Sequence, residues 1–155
     1  MLLECGKIER ILICIVLEKI FPIEQKMDKF LVDTSVIIEF LRGYSKGIQI
    51  LDSFREKGIL MISVITSAEL YFGCRNEWEE KELELLLDTF IEIPLKRQIL
   101  SMANKLSKEY GKRYNCDLID MLIAATAIVE KAKLVTLNLK HFNMIEEIEV
   151  YNASK

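Results

Sequence analysis

Histidine occurs once in this chain, at position 141, and none of its four cysteines forms a Cys-x-x-Cys pair. That shortage argues against a zinc site. Cys5, Cys14, Cys74 and Cys116 follow no convincing secretion signal, so reduced buried thiols in a cytosolic protein are expected rather than disulfides. Two prolines and six glycines in 155 residues leave no room for a linker-rich or collagen-like chain. No apolar run is long enough for a bilayer: Ile11 to Leu17 is the candidate, at seven residues. Neither charge sign dominates. The formal net charge of −3 predicts no partner, and it does not exclude nucleic acid, because a local basic face counts for more than the total.

What is present is an ordinary globular composition, 51% hydrophobic and 29% charged. The length suits one domain with a real core. Residues 1–26 stand apart. Ile8, Ile11, Leu12, Ile15 and Val16 follow helical spacing. Either they form a dispensable packed helix before the domain, or Met27 is the native start of a domain at 27–155.

Short apolar runs alternate with helical patterns. Strands are expected at Phe30–Val32, Ile59–Ile62, Phe90–Ile93, Lys133–Leu137 and Glu147–Tyr151. Helices are expected over 36–41, 48–54, from Thr66 towards Arg75, 77–88, 95–110 (ended by Gly111) and 117–131. Such alternation predicts an α/β fold with a mostly parallel sheet flanked by helices. Its ligand crevice lies beyond the carboxyl ends of the strands.

Three carboxylates fall near such ends: Asp33 in FLVDTSVII, Glu69 in ISVITSAELYFG and Asp120 in CDLIDMLIAATA. Each has a plain structural reading. Asp33 can cap a helix. Thr66-Ser67-Ala68-Glu69 matches a capping box. Asp120 lies in a first helical turn, where the macrodipole favours an acid, with Asp117 as the cap. If they converge, three carboxylates without histidine or cysteine favour a hard cation, Mg²⁺ or Mn²⁺, and metal-assisted phosphodiester chemistry. Thr136 and Asn138 follow the fourth strand and can bond the turn backbone. His141 reads as a satisfied structural histidine. Lys96, Arg97, Lys105, Lys108, Lys112 and Arg113 form either a solvated face or a phosphate-binding one.

Together these segments resemble the PIN-domain family, specifically the VapC-type toxins of toxin–antitoxin pairs. FLVDTSVIIEFL is similar to the family's first strand and first acid, ITSAELYFG to its second-acid helix, and DMLIAATAIVEKAKLVTLNLKHF to its third-acid helix with the following Thr-x-Asn segment. The resemblance runs from Met27 to about Tyr151. It implies a three-layer α/β fold and a cytoplasmic, Mg²⁺- or Mn²⁺-dependent endoribonuclease. It implies Asp33, Glu69 and Asp120 as catalytic and metal-binding acids, with Thr34, Thr136 and Asn138 in support. It also implies an RNA substrate, a VapB-type antitoxin, a homodimer and no membrane attachment. Asn138 stands where many members carry a fourth acid.

Two rivals remain. A phospho-aspartate hydrolase wants Asp-x-Asp after its first strand, and Asp33-Thr34-Ser35 lacks the second Asp. A PIN-like module without full catalytic power would bind RNA or dock a protein, and Asn138 is the feature that favours it.

Overall fold

The computed structural model of the chain describes residues 27–152. The expectations for residues 1–26, Cys5 and Cys14 included, lie outside them. The chain runs β1 (Asp28–Val32), α1 (Thr34–Leu41), α2 (Ser45–Arg55), β2 (Gly58–Ser63), α3 (Val64–Gly73), α4 (Glu77–Leu87), β3 (Ile91–Ile93), α5 (Arg97–Leu106), α6 (Leu118–Glu130), β4 (Lys133–Thr136) and β5 (Val150–Asn152). A π-helical turn at Ser107–Gly111 and a short helical piece at Lys112–Tyr114 separate α5 from α6, and a 3₁₀ turn at Leu139–His141 follows β4.

All five strands are parallel, in the order β3-β2-β1-β4-β5. Alternate strand residues feed opposite faces. Leu31, Met61 and Leu134 pack with Ile99, Leu106, Met121 and Ile123 of α5 and α6. Phe30, Val32, Leu60, Ile62 and Val135 pack with α1, α2 and α4 through Val36, Ile37, Leu51, Phe54 and Leu83. The result is the expected three-layer α/β architecture. The apolar run of α6 is its cause: Met121 to Ala127 is buried on every side, which a surface helix would not tolerate.

The strand order fixes where chemistry belongs. From central β1 the chain walks outward through β2 and β3, then returns to the other side of β1 as β4. The order reverses between β1 and β4, and the crevice of such sheets opens at that switch point. The Asp33 N–H donates to Val135 O at 2.9 Å, carrying the β1–β4 ladder one residue further into it. Gly47 lets α2 cross close to α1, since a Cβ there would fall 2.4 Å from the Phe40 backbone nitrogen.

Several sequence expectations shift. Helix α3 starts at Val64, not Thr66, because Ser63 leaves β2 and its hydroxyl accepts from Ile65 N–H at 3.3 Å. Thr66 and Ser67 therefore do not cap, and the capping box does not form. Gly111 does not end the fifth helix. Its φ is −52°, and the chain continues until Asn115 turns left-handed at φ 52°, a conformation asparagine tolerates. Cys74 and Cys116 are free thiols as expected, though half-buried rather than buried.

Candidate active site

Asp33 occupies the capping position of α1 with extended backbone, yet its side chain makes no cap hydrogen bond. Its Oδ2 instead accepts from Ser35 Oγ at 2.6 Å and from Thr136 Oγ1 at 2.7 Å. The carboxylate is 6% exposed. Thr136, at the end of β4, also accepts the Asn138 N–H at 2.9 Å. Ser35 accepts the Leu137 N–H at 3.2 Å. The hydroxyls thus join the two strand ends around one carboxylate oxygen.

Glu69 lies in the second turn of α3, too far along for a capping box, and turns towards α1. Thr34 Oγ1 donates to its Oε2 at 2.6 Å. Burial raises its pKa above the ordinary glutamate value; the Thr34 hydrogen bond opposes this, while the charges of Asp33, Asp117 and Asp120 add to it. The Thr34 hydrogen bond sets Glu69 beside the residue that follows Asp33, at the same edge of the sheet.

Asp120 is buried in the first turn of α6. Asp117 caps the helix as expected, its Oδ1 accepting the Asp120 N–H at 2.8 Å. Its charge nonetheless belongs to the acidic field at Glu69 and Asp120. Asp120 Oδ2 lies 2.7 Å from His141 Nδ1. Burial raises the Asp120 pKa, the His141 hydrogen bond opposes this, and Asp117 and Asp33 reinforce it.

The three acids therefore share a pattern. One oxygen of each is held by a neutral donor or an imidazole, and none has a lysine or arginine partner among the described residues. Carboxylates crowded without a counter-charge favour a bound cation. No three carboxylate, histidine or cysteine side chains among the described residues enclose a metal-sized hole. The donor set suits an ion gripped by one or two carboxylates with water completing its shell, as Mg²⁺ prefers.

Of the supporting residues, Thr34 and Thr136 each hold an acid, whereas Asn138 contributes its backbone N–H. Sequence reasoning missed Ser35, and it read His141 as a satisfied histidine without finding Asp120 as its partner. Ser35 stood in the quoted Asp-Thr-Ser, and a hydroxyl two residues past a strand-end Asp was the available signal. No local pattern points from His141 to Asp120, 21 residues earlier.

The basic run is only partly available. Lys96 pairs with Glu130 at 2.7 Å and Lys105 with Glu147 at 3.1 Å. Arg97, Lys108, Lys112 and Arg113 are exposed, and the Arg113 guanidinium lies 5.3 Å from the centre of the Tyr114 ring.

Beside the acids, α1, α3 and α4 enclose a groove of about 870 Å³. Glu69 forms part of its wall, with Leu41, Leu70, Trp78 and Leu83. Trp78 is 69% exposed and the neighbouring Phe72 is 94% exposed.

The PIN domain family model matches residues 30–146, a span holding all of these acids and their partners. The chain belongs to the PIN-domain family. Within it, Ribonuclease VapC10 of Mycobacterium tuberculosis (strain ATCC 25618 / H37Rv) is 40% identical over 120 residues, covering 77% of this chain and 90% of that protein. Ribonuclease VapC1 of Methanocaldococcus jannaschii is 29% identical, covering 84% and 92%. The solved structure of VapBC-1 from nontypeable Haemophilus influenzae superposes with a TM-score of 0.71 at 26% identity, covering 82% of this chain and 99% of that one. These relatives place the chain in the VapC branch. Among the described residues, no helix is long and apolar enough to cross a membrane.

Proposed function

We propose that this chain is an endoribonuclease that hydrolyses RNA phosphodiester bonds with Mg²⁺ or Mn²⁺, and that it is the toxin of a VapBC-type pair acting in the cytoplasm. The reading is supported above all by the hydrogen bonds that tie Glu69 to Thr34, Asp33 to Thr136 and Asp120 to His141, around the carboxyl ends of β1 and β4, with no lysine or arginine partner for any of the three acids among the described residues. The ribonuclease names of its VapC relatives support the substrate class.

Asp33 and Asp120 hold the cation, with Glu69 beside them or acting through water. A cation held there would supply charge neutralisation at the scissile phosphate and would lower the pKa of a water for attack. Thr34 fixes Glu69 Oε2, so Oε1 is the atom that receives a proton from the attacking water. In-line attack breaks the P–O3′ bond, leaving a 5′-phosphate and a 3′-hydroxyl. Lys108, Lys112 and Arg113 hold the RNA backbone, with Tyr114 available for a stacked base. Unpaired RNA suits such a face better than a perfect duplex.

The groove of α1, α3 and α4 receives the antitoxin. Its apolar wall runs to Glu69, so a segment lying along it brings an Arg or Lys within reach of Asp33 or Asp120. The family resemblance supports a homodimer.

Incubating the full chain with single-stranded RNA tests the reading. Cleavage with Mg²⁺ or Mn²⁺, absent with EDTA and in Asp33→Asn and Asp120→Asn, is expected. Asn138 keeps a second reading alive, a docking or RNA-binding module. Equal Mn²⁺ affinity in wild type and the double Asn variant, with no cleavage by either, would leave that reading standing.

A further inference from the structure

We propose that His141 is a positioning residue of the cation site: its Nδ1–H fixes Oδ2 of Asp120 and leaves Oδ1 for the metal. The inference rests on the metal-site reading of Asp33, Glu69 and Asp120.

The geometry is specific. A carboxylate that holds a cation is ionised and only accepts, so in that state the 2.7 Å contact between Asp120 Oδ2 and His141 requires the proton on Nδ1. Asp120 is 9% exposed, so Oδ2 has little water to replace that donor. No other side chain among the described residues donates to it. The backbone that carries the imidazole is itself held. His141 ends the 3₁₀ turn after β4, its N–H donating to Asn138 O at 3.2 Å. Its carbonyl oxygen lies 3.9 Å from Cys116 Sγ, in the loop that leads into α6. His141 thus fastens the segment after β4 to the start of α6. Those are the elements that carry the partner of Asp33 and the third acid.

The other two acids show why such a donor is needed. Asp33 has Ser35 and Thr136, and Glu69 has Thr34. Among the described residues, His141 is the only side chain that partners the Asp120 carboxylate. Removing the imidazole leaves a buried carboxylate free to rotate about χ1 and χ2, so the oxygen offered to a cation is no longer fixed. A group that orients a ligand from outside the metal's own shell contributes about 10- to 100-fold in affinity. A short ring donor suits the task better than lysine, whose mobile ammonium would compete with the cation for the same oxygen.

Calorimetric titration of Mn²⁺ into the full chain tests this, with His141→Ala, His141→Asn, His141→Gln and Asp120→Asn beside wild type. The asparagine amide nitrogen falls where Nδ1 lies, whereas that of glutamine falls nearer Nε2. Ala and Gln are expected to weaken Mn²⁺ binding about tenfold or more, and Asn to recover it to within about threefold of wild type. Should Ala fail to fold, the Asn–Gln difference decides alone. Wild-type affinity in the Gln variant, or Asn no better than Gln, overturns the inference. If Asp120→Asn weakens binding while the His141 variants do not, only the role of His141 falls. If Asp120→Asn also binds as wild type, the metal site falls with it. Cleavage of RNA by wild type is scored separately: Mn²⁺ behaviour as expected without cleavage keeps the His141 assignment and removes the nuclease reading.

Discussion

Strand β1 carries an aspartate at each end, and β4 runs beside it with a polar residue at each end. At the amino edge, Asp28 is exposed and Lys133 Nζ lies 3.1 Å from its Oδ2. At the carboxyl edge, Asp33 is buried and Thr136 Oγ1 donates to it at 2.7 Å. The same two strands thus cancel one charge with a cation and hold the other with a neutral hydroxyl. The amino edge is finished within the chain. The carboxyl edge is fixed in shape but left with uncompensated charge, which is the condition for binding a metal from outside. The contrast predicts that substitutions at the carboxyl edge change function while those at the amino edge do not.

The largest effect is expected from Asp33→Asn. The amide keeps the volume and can still accept from Ser35 and Thr136, so the fold should persist. Mn²⁺ binding by calorimetry and RNA cleavage should both fall below detection. Asp28→Asn should leave both as in wild type. Cleavage surviving Asp33→Asn would break the comparison at its centre.

Next in size is the response of stability to metal and pH. The Glu69 and Asp120 pKa values are raised in the folded protein, above all by burial. Between the unfolded and folded values the folded state binds more protons, so stability without metal falls as pH rises through that window. The loss is complete once the pH has passed both folded values. Mn²⁺ at a hundred times its Kd should restore about 2.7 kcal/mol, read as a rise in Tm by calorimetry. The rise should be absent in Asp120→Asn. If Asp120→Asn leaves the pH dependence of Tm through that window in metal-free buffer unchanged, the assignment is contradicted.

Thr136→Val is smaller and separates shape from charge. It removes the donor from β4 while keeping the branched shape. Leaving part of a buried carboxylate unpartnered should cost about 1–3 kcal/mol in denaturant unfolding. Thr136→Ser should recover most of it. Cleavage should weaken in Val and return in Ser, because Ser35 alone holds Asp33 less firmly.

The same contrast shows which parts of the fold were readable. Asp33 was legible because a local pattern, three apolar residues and then an acid, coincides with a strand end that the sheet confirms. The boundary near Glu69 was not. Ile62, Ser63, Val64, Ile65 and Thr66 offer two hydroxyl caps in one apolar stretch. The choice of Ser63 is tertiary, set by its pairing opposite Ile93 of β3. Asp120 was readable from the apolar helix it opens, since α6 has no polar face to give up. Its partner was not: His141 lies 21 residues on, beyond a helix and a strand, and Thr136 meets Asp33 across 103 residues. Local patterns carried the acids, and only the strand order brought in the groups that aim them.

The smallest effect belongs to the amino edge and is informative for being small. Lys133 Nζ lies near Asp28 and Glu149, and also over the Phe30 and Tyr151 rings at 6.0 and 5.9 Å. Lys133→Met keeps most of the stem and removes the charge, which separates ion pairing from packing. Exposed pairs of this kind contribute little and are screened by salt. The variant should therefore melt close to wild type, with any difference gone at about 1 M salt, where the Debye length is about 3 Å. Mn²⁺ affinity and cleavage should be unchanged. The two edges are linked through the short paired segments of β1 and β4, Phe30–Val32 against Lys133–Val135, so a cleavage defect in Lys133→Met would mean that strand register transmits strain to Asp33. That outcome would replace a division of labour between the edges with a single coupled ladder.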